Sequence, residues 1–142
     1  MYTEPTEPGA GAPAPSVILV VEPDILARMV IADYLRECGY KIVEGTNADD
    51  VLTVLGVDRK IDIVLAAVEL GGSIDGFALA RRIRQEYPRI DVILTSSLAK
   101  VADEAGDLCE EGPAEKPYHP QDVVRRINQL REKRRTAPEP KG

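Results

Sequence analysis

Short apolar runs alternate with amphipathic segments along most of this chain, and this alternation constrains the fold more than any other feature. The runs are rich in β-branched residues and have the length of strands that are buried on both faces. They lie at 16–21, 40–44, 61–66 and 90–95, with a shorter fifth run at 113–115. Strands that alternate with helices form parallel sheets through right-handed crossovers. The sequence therefore predicts an α/β fold with a doubly wound, five-stranded parallel sheet.

The segments between the runs have apolar residues at helical spacing, and their ends carry capping residues. Asp24 and Asn47 stand where N-caps are expected, and Gly39 stands at a C-terminal cap. In the first segment one apolar stripe is formed by Ala27, Val30, Ile31, Tyr34, Leu35 and Cys38. Further helices are predicted at about 47–55, 76–87, 98–109 and 121–135. Five strand–helix units favour a flavodoxin-like (βα)5 arrangement with strand order 2-1-3-4-5.

Proline and glycine bound this region at both ends. Residues 1–15 contain four prolines and two glycines without an apolar period, so they are predicted to be a disordered leader. Residues 136–142 contain two further prolines and are predicted to be a flexible tail. One domain is therefore expected between them, over residues 16–135.

Charge and hydropathy exclude several functional classes. The net charge of −6 argues against nucleic-acid binding by the domain as a whole. No apolar run approaches the roughly 18 residues of a membrane span, and the N-terminus lacks the pattern of a secretory signal. We therefore expect a cytoplasmic protein without membrane contact. Cys38 and Cys109 have no metal-binding or redox spacing, and because cytosolic disulfides are rare we expect two reduced thiols.

The ends of the predicted strands are the places to look for function, because ligands bind beyond the carboxyl ends of strands in open parallel sheets. The tripeptide Glu22-Pro23-Asp24 follows the first strand, and Ala67 follows the third. Thr95 ends the fourth strand, and Lys116-Pro117 follows the fifth.

In order and spacing, these four strand ends resemble those of the receiver domains of bacterial two-component response regulators. The resemblance covers residues 16 to about 133 and includes the loop GGSIDG at 71–76. The run at 28–35 resembles single-domain regulators of alphaproteobacteria. Receivers hold Mg²⁺ on two adjacent acidic residues after strand one and accept a phosphoryl group on an aspartate that ends strand three. A hydroxyl after strand four switches toward that group, and a lysine after strand five, in a cis Lys-Pro segment, pairs with it.

The resemblance assigns Glu22 to the first acid, Asp24 to a third position that is often acidic, Thr95 to the switch hydroxyl and Lys116-Pro117 to the lysine segment. Two positions depart from the pattern. Ala67 stands at the acceptor position and has no nucleophile, and Pro23 stands at the second acid. Phosphoryl transfer to a carboxylate needs a divalent cation. We therefore expect no cofactor, and at most weak Mg²⁺ binding at Glu22, Asp24 and the backbone carbonyl of Glu69.

Each surviving residue also has a purely structural interpretation. Thr95 suits the end of any buried strand, and Lys116 suits a solvated ion pair with the acids after strand one. His119 is expected to be a surface residue rather than a phosphotransfer histidine. The basic run at 131–135 suits the C-terminus of a helix, with nucleic-acid binding as the alternative.

Together these features predict a degenerate single-domain receiver, or pseudo-receiver, that is not an enzyme and acts by phosphorylation-independent protein contact. The expected partners are a histidine kinase, another response regulator or a scaffold protein. The expected contact face is helix four, strand five and helix five, at 98–135, and a homodimer would use the same face. On that face Pro113 replaces an aromatic residue that is frequent in the family.

Two alternatives stay open. The first is a conventional phospho-accepting single-domain response regulator in which alanine has been substituted for the acceptor aspartate at position 67. The second is a nucleic-acid accessory protein that binds through its basic tail.

Overall fold

The computed structural model describes residues 16–57, 60–113 and 119–136. Its strands are β1 (Val17–Val21), β2 (Lys41–Gly45), β3 (Ile63–Ala67) and β4 (Asp91–Thr95). Its helices are α1 (Ile25–Glu37), α2 (Ala48–Gly56), α3 (Gly76–Glu86), α4 (Leu98–Glu110) and α5 (Pro120–Thr136). The predicted alternation is confirmed over these ranges. The third strand begins two residues later than predicted and includes Ala67 as its last residue.

The four strands form one parallel sheet in the order β2-β1-β3-β4. This confirms the parallel α/β architecture and the first four positions of the predicted order. The predicted fifth strand falls mostly outside the described residues. Of its three residues only Pro113 is described, and it lies in a bend after α4.

Each face of the sheet carries its own apolar core, as expected for strands covered on both sides. On β1, Ile18 and Val20 point to one face, while Leu19 and Val21 point to the other, and all four are at most 1% exposed. The first face is covered by α1, α4 and α5, and the second by α2 and α3.

The position of α4 differs from what the crossover rule predicts. A right-handed crossover from β4 to a fifth strand beside it would place α4 on the face of α3. Instead, Val101, Ala105 and Cys109 of α4 pack into the core beneath α1 and α5. The small residues on this side of α4 permit a close approach: a Cβ atom on Gly106 would collide with the ring of Pro120, where α5 begins.

A disulfide bond joins the same two helices. Cys38, which caps the C-terminus of α1, is bonded to Cys109 in the last turn of α4, and their Cα atoms are 5.4 Å apart. The expectation of two reduced thiols is therefore wrong. Spacing along the chain carried no sign of the bond, because the fold brings together residues separated by 71 positions. The hydroxyl of Tyr40 donates a hydrogen bond to the carbonyl oxygen of Leu108 and adds a second link at this end of α4.

None of the helices in the described ranges is both long enough and apolar enough to cross a bilayer.

Candidate functional site

The candidate site lies at the carboxyl edge of the sheet, where three strands end side by side. Glu22 follows β1, Ala67 ends β3 and Thr95 ends β4. Ala67 and Thr95 are paired in register. A cavity of about 270 Å³ opens here, and its lining includes Glu22, Ala67, Glu69, Thr95 and Arg131. The structure thus brings Glu22, Ala67, Glu69 and Thr95 together around this cavity, and it adds an arginine that contacts Asp24.

The end of β3 offers no nucleophile. Ala67 is half-buried and presents only a methyl group to the cavity. Ala66 is buried, and its carbonyl oxygen lies 3.5 Å from the hydroxyl of Thr95. Glu69 is exposed two residues beyond the strand. A shift of the alignment by one residue toward the N-terminus would place Ala66, another alanine, at the acceptor position that the resemblance implies.

The loop before α3 holds the end of β3 in place. The backbone N–H of Gly76 donates to the carbonyl oxygen of Val68 at 2.7 Å, and the N–H of Val68 donates to that of Thr95 at 2.9 Å. A Cβ atom on Gly76 would lie 2.5 Å from the carbonyl oxygen of Ala67. Asp75 caps α3 by accepting from the N–H of Ala78 at 2.9 Å. The resemblance of the loop at 71–76 to the receiver loop is thus explained by close backbone packing and helix capping.

Glu22 and Asp24, here called the acidic pair, are held by hydrogen bonds within their own loop. Asp24 is the predicted N-cap of α1: its Oδ1 accepts from the backbone N–H groups of Leu26 at 2.9 Å and Ala27 at 3.2 Å. Oε2 of Glu22 accepts from the N–H of Asp24 at 2.9 Å. Pro23 lies between them and has no side-chain ligand to offer. The capping role of Asp24 is confirmed.

Among the described residues, Arg131 of α5 supplies a cation at this site. Its guanidinium donates to Oδ2 of Asp24, so both oxygens of that carboxylate are engaged. The two residues are 107 positions apart in sequence, and their side chains are 39% and 35% exposed. No local pattern could have identified this contact, because the basic run at 131–135 is equally suited to a helix end. A second arginine, Arg28, donates to the backbone carbonyl oxygen of Glu22 at 2.9 Å and braces the same loop.

The two carboxyl groups of the acidic pair have pKa values shifted in opposite directions. Burial is the main cause that raises the pKa of Glu22, and the nearby charge of Asp24 raises it further. The hydrogen bond from the Asp24 N–H and the charges of Arg131 and Arg28 lower this pKa but do not outweigh burial. For Asp24, burial acts to raise the pKa, but the N–H of Ala27 and the guanidinium of Arg131 outweigh it, so the pKa is lowered. Asp24 is thus held as a carboxylate beside an arginine.

These residues do not fit a Mg²⁺ site of the receiver type. Mg²⁺ requires oxygen ligands in near-octahedral geometry, usually including one or two carboxylates. Ala67 and Pro23 contribute none, and the carboxylate of Asp24 is already occupied by two N–H groups and a guanidinium. Within the described ranges, no group of three or more acidic, histidine or cysteine side chains converges on one point.

Comparison with known proteins decides the family. The family model named response regulator receiver domain matches the sequence over residues 18–128. The chain belongs to the response regulator receiver domain family. The predicted resemblance and the α/β flavodoxin-like receiver fold are thereby confirmed.

Relatives of this receiver include regulators and kinases. It is 31% identical over 125 residues to the phosphate regulon transcriptional regulatory protein PhoB of Pseudomonas aeruginosa, covering 85% of this chain and 53% of that protein. It is 35% identical over 96 residues to the sensor histidine kinase RcsC of Escherichia coli, covering 68% of this chain and 10% of that kinase. The chain thus spans about half the length of the first of these relatives.

Solved receivers share the fold at modest similarity. The receiver domain of NtrX from Brucella abortus matches with a TM-score of 0.55 and 25% identity, covering 81% of this chain and 98% of that one. A receiver domain protein from Clostridium thermocellum matches with a TM-score of 0.55 and 21% identity, covering 84% of this chain and 97% of that one. The second likeness shows the fold alone.

The remaining predicted residues of this receiver have mixed outcomes. Lys116 and Pro117 lie outside the described residues, so their roles and the cis bond stay predictions. His119 is exposed and directly precedes α5. In the basic run, Arg131 contacts Asp24, while Arg135 pairs with Glu132 on the same helix. Thr95 is 5% exposed and faces the cavity, so its position suits both the switch and the structural interpretation.

Proposed function

We propose that this receiver is a pseudo-receiver, which acts as a phosphorylation-independent protein-binding module and not as an enzyme or phospho-acceptor. One observation carries the proposal. At the end of β3, Ala67 lies in register with Thr95 inside the site, while the neighbouring carboxylate of Asp24 is engaged by Arg131.

The chemistry of phosphoryl transfer explains why this arrangement matters. An acceptor carboxylate needs a divalent cation to neutralise charge on the phosphoryl oxygens in the transition state. Here the acceptor carboxylate is missing, and the remaining acids do not form a metal site. The hydroxyl of Thr95 therefore has no covalent phosphoryl group to follow. In this proposal the binding surface is held in one state and association with the partner is constitutive.

Receivers of two-component systems interact with histidine kinases and other response regulators. We propose a partner from these classes or a scaffold protein, bound on the surface of α4 and α5. A surface groove of about 720 Å³ runs between these two helices, and it is lined by charged side chains of both signs, including Asp103, Arg125 and Glu132. The same surface is the proposed contact of a homodimer. A second exposed feature is the apolar pair Ile25 and Met29 on one side of α1, each 47% exposed.

We also propose a cytoplasmic location in bacteria. The Cys38–Cys109 bond is unusual for that compartment, since thiols of the cytosol are kept reduced in most organisms, and both cysteines are fully buried. Thiol alkylation in intact cells of the native host, followed by mass analysis, reports the redox state of the pair where the protein works. Fractionation of the same cells gives the location itself, and recovery of the protein outside the cytosol would contradict the proposal.

The phosphorylation claim is tested by intact mass. The protein is incubated with acetyl phosphate and Mg²⁺, with an ordinary receiver as the positive control. We expect no gain in mass for this chain under conditions that modify the control. A phosphoryl adduct on this chain would refute the proposed function.

The docking claim is tested by capture of the partner and charge reversal on α5. Arg125 and Arg126 are exposed. Arg125 lines the α4–α5 groove and pairs with Asp122 on the same helix, whereas Arg126 lines a second groove beside α1. Arg131 is unsuitable for this test because it contacts Asp24. Arg125→Glu should weaken association and leave the melting temperature nearly unchanged, because surface substitutions usually change stability by at most about 0.5 kcal/mol.

A matched variant distinguishes the two exposed surfaces. Met29→Glu introduces one charge on α1 and leaves the α4–α5 groove intact. If the partner is lost in this variant and retained in Arg125→Glu, docking through α4 and α5 is refuted and the contact lies on α1. The oligomeric state of the same variants, measured by sedimentation, tests the homodimer separately.

A further inference from the structure

Arg131 differs from its neighbours on α5 in where its charge is used. Arg125 pairs with Asp122 and Arg135 pairs with Glu132, both three residues away on the same helix. Arg131 instead reaches the loop after β1 and contacts Asp24. The first two contacts belong to a solvated helix surface, whereas the third connects α5 to the edge of the sheet where the site lies.

The contact completes the hydrogen bonding of Asp24. Oδ1 accepts from two N–H groups at the start of α1, and Oδ2 accepts from the guanidinium of Arg131. Arg131 also lines the cavity beside Ala67, and its charge acts on Glu22 as well. A guanidinium is permanently charged and carries donors in a planar fork that suits carboxylates. The acidic pair therefore has a cation supplied by the chain itself.

We propose that Arg131 is the built-in counter-ion of the acidic pair: it takes the place of the divalent cation of phosphorylatable receivers, excludes that metal, and fastens the end of α5 over the site. The inference deepens the proposed function and rests on it for the interpretation of the site as a former metal site. A metal ion beside Asp24 would either displace the guanidinium of Arg131 or be repelled by its positive charge. Metal binding and the Arg131 contact therefore oppose each other.

The predicted consequence is that removal of the guanidinium uncovers metal binding. In Arg131→Gln, both acids keep their places while their counter-ion is lost. Mn²⁺ is a suitable probe because its paramagnetism broadens the amide signals of nearby residues. In full-length protein, we expect Mn²⁺ to broaden the amides of Leu26 and Ala27 in Arg131→Gln with at least a roughly tenfold lower Kd than in wild type.

Two variants serve as controls. Arg135→Gln makes the same change of charge on the same helix but removes only a local pair with Glu132, so it should behave as wild type. Arg131→Lys keeps the charge and should keep metal excluded, which separates a lost charge from a disturbed fold. Hydrogen exchange gives a second readout: amides of the last turns of α5 should exchange faster in Arg131→Gln than in Arg135→Gln.

Equal Mn²⁺ affinity in wild type, Arg135→Gln and Arg131→Gln would overturn the proposal, whether all three bind or none does. Unchanged exchange at the end of α5 would overturn the fastening role. These outcomes are distinct from failure of the proposed function, which is judged by phosphorylation of the wild-type chain. Because Ala67 is present in every variant, uncovered metal binding without a phosphoryl adduct supports both proposals.

Discussion

The Cys38–Cys109 bond is expected to be a large contributor to the stability of this receiver. A disulfide stabilises chiefly by restricting the unfolded chain, and the effect grows with the length of the loop it closes. For the 71-residue separation of this pair, the chain-entropy relation gives about 4.4 kcal/mol at 25 °C. This is a substantial part of the 5–15 kcal/mol or so that is typical of a whole domain.

Reduction tests this value without removing any packed side chain. Both cysteines are 0% exposed, so the reduced thiols would occupy the same apolar surroundings in the folded state. Because the folded protein shields the bond, reduction is done in urea with an excess of a dithiol, and the protein is refolded without oxygen. With a urea m-value of roughly 2 kcal/mol/M, the unfolding midpoint should fall by about 2 M.

The control is the double variant Cys38→Ala with Cys109→Ala, whose midpoint should not respond to the dithiol. Thiol titration and intact mass verify that the wild-type protein was oxidised before the treatment and fully reduced after it. Equal midpoints for verified oxidised and reduced wild-type protein would refute the reasoning. Two free thiols in protein purified without reductant would show instead that the bond does not form in solution.

Three further predictions concern the site. Ala67→Asp alone should be phosphorylated poorly by acetyl phosphate, because Pro23 is still present. Adding Pro23→Asp should raise the extent of phosphorylation. A single variant that is phosphorylated as readily as an ordinary receiver would contradict the role given to Pro23. Burial raises the pKa of Glu22, so the stability that this group contributes below its unfolded pKa of about 4.3 is lost as pH rises through the raised folded value. Glu22→Gln should therefore raise the melting temperature at pH 7, and the gain should disappear below about pH 4; a gain independent of pH would exclude the pKa as its cause. Gly76→Ala should lower the unfolding free energy measured in urea by about 1–3 kcal/mol, because its Cβ atom would collide with the backbone of Ala67. The control Gly56→Ala should be tolerated, because a Cβ atom there has nothing within 4 Å. Equal unfolding midpoints for the two variants would contradict the close packing.

Local chemistry made much of the fold predictable. Asp24 and Asn47 cap their helices as predicted, because a short side-chain oxygen placed before an apolar stripe satisfies the free N–H groups of the first turn. Gly39 has a φ of 101°, a conformation that favours glycine and ends α1. Continuous apolar runs placed the first four strands in a sheet covered on both faces. Ala67 was predicted to follow the third strand and is its last residue, while its assignment to the acceptor position came from the resemblance to receivers.

The contacts that distinguish this receiver depend on the tertiary structure. The Arg131–Asp24 pair spans 107 positions and the Cys38–Cys109 bond spans 71. Neither leaves a periodic or local mark in the sequence, because each depends on the face of the sheet on which α4 and α5 pack. Hydropathy cannot choose that face, since both sides of a doubly covered sheet are apolar. The sequence by itself determined the elements, their parallel order and the alanine at the end of β3, whereas packing alone decided which distant side chains meet, among them Arg131 and Asp24.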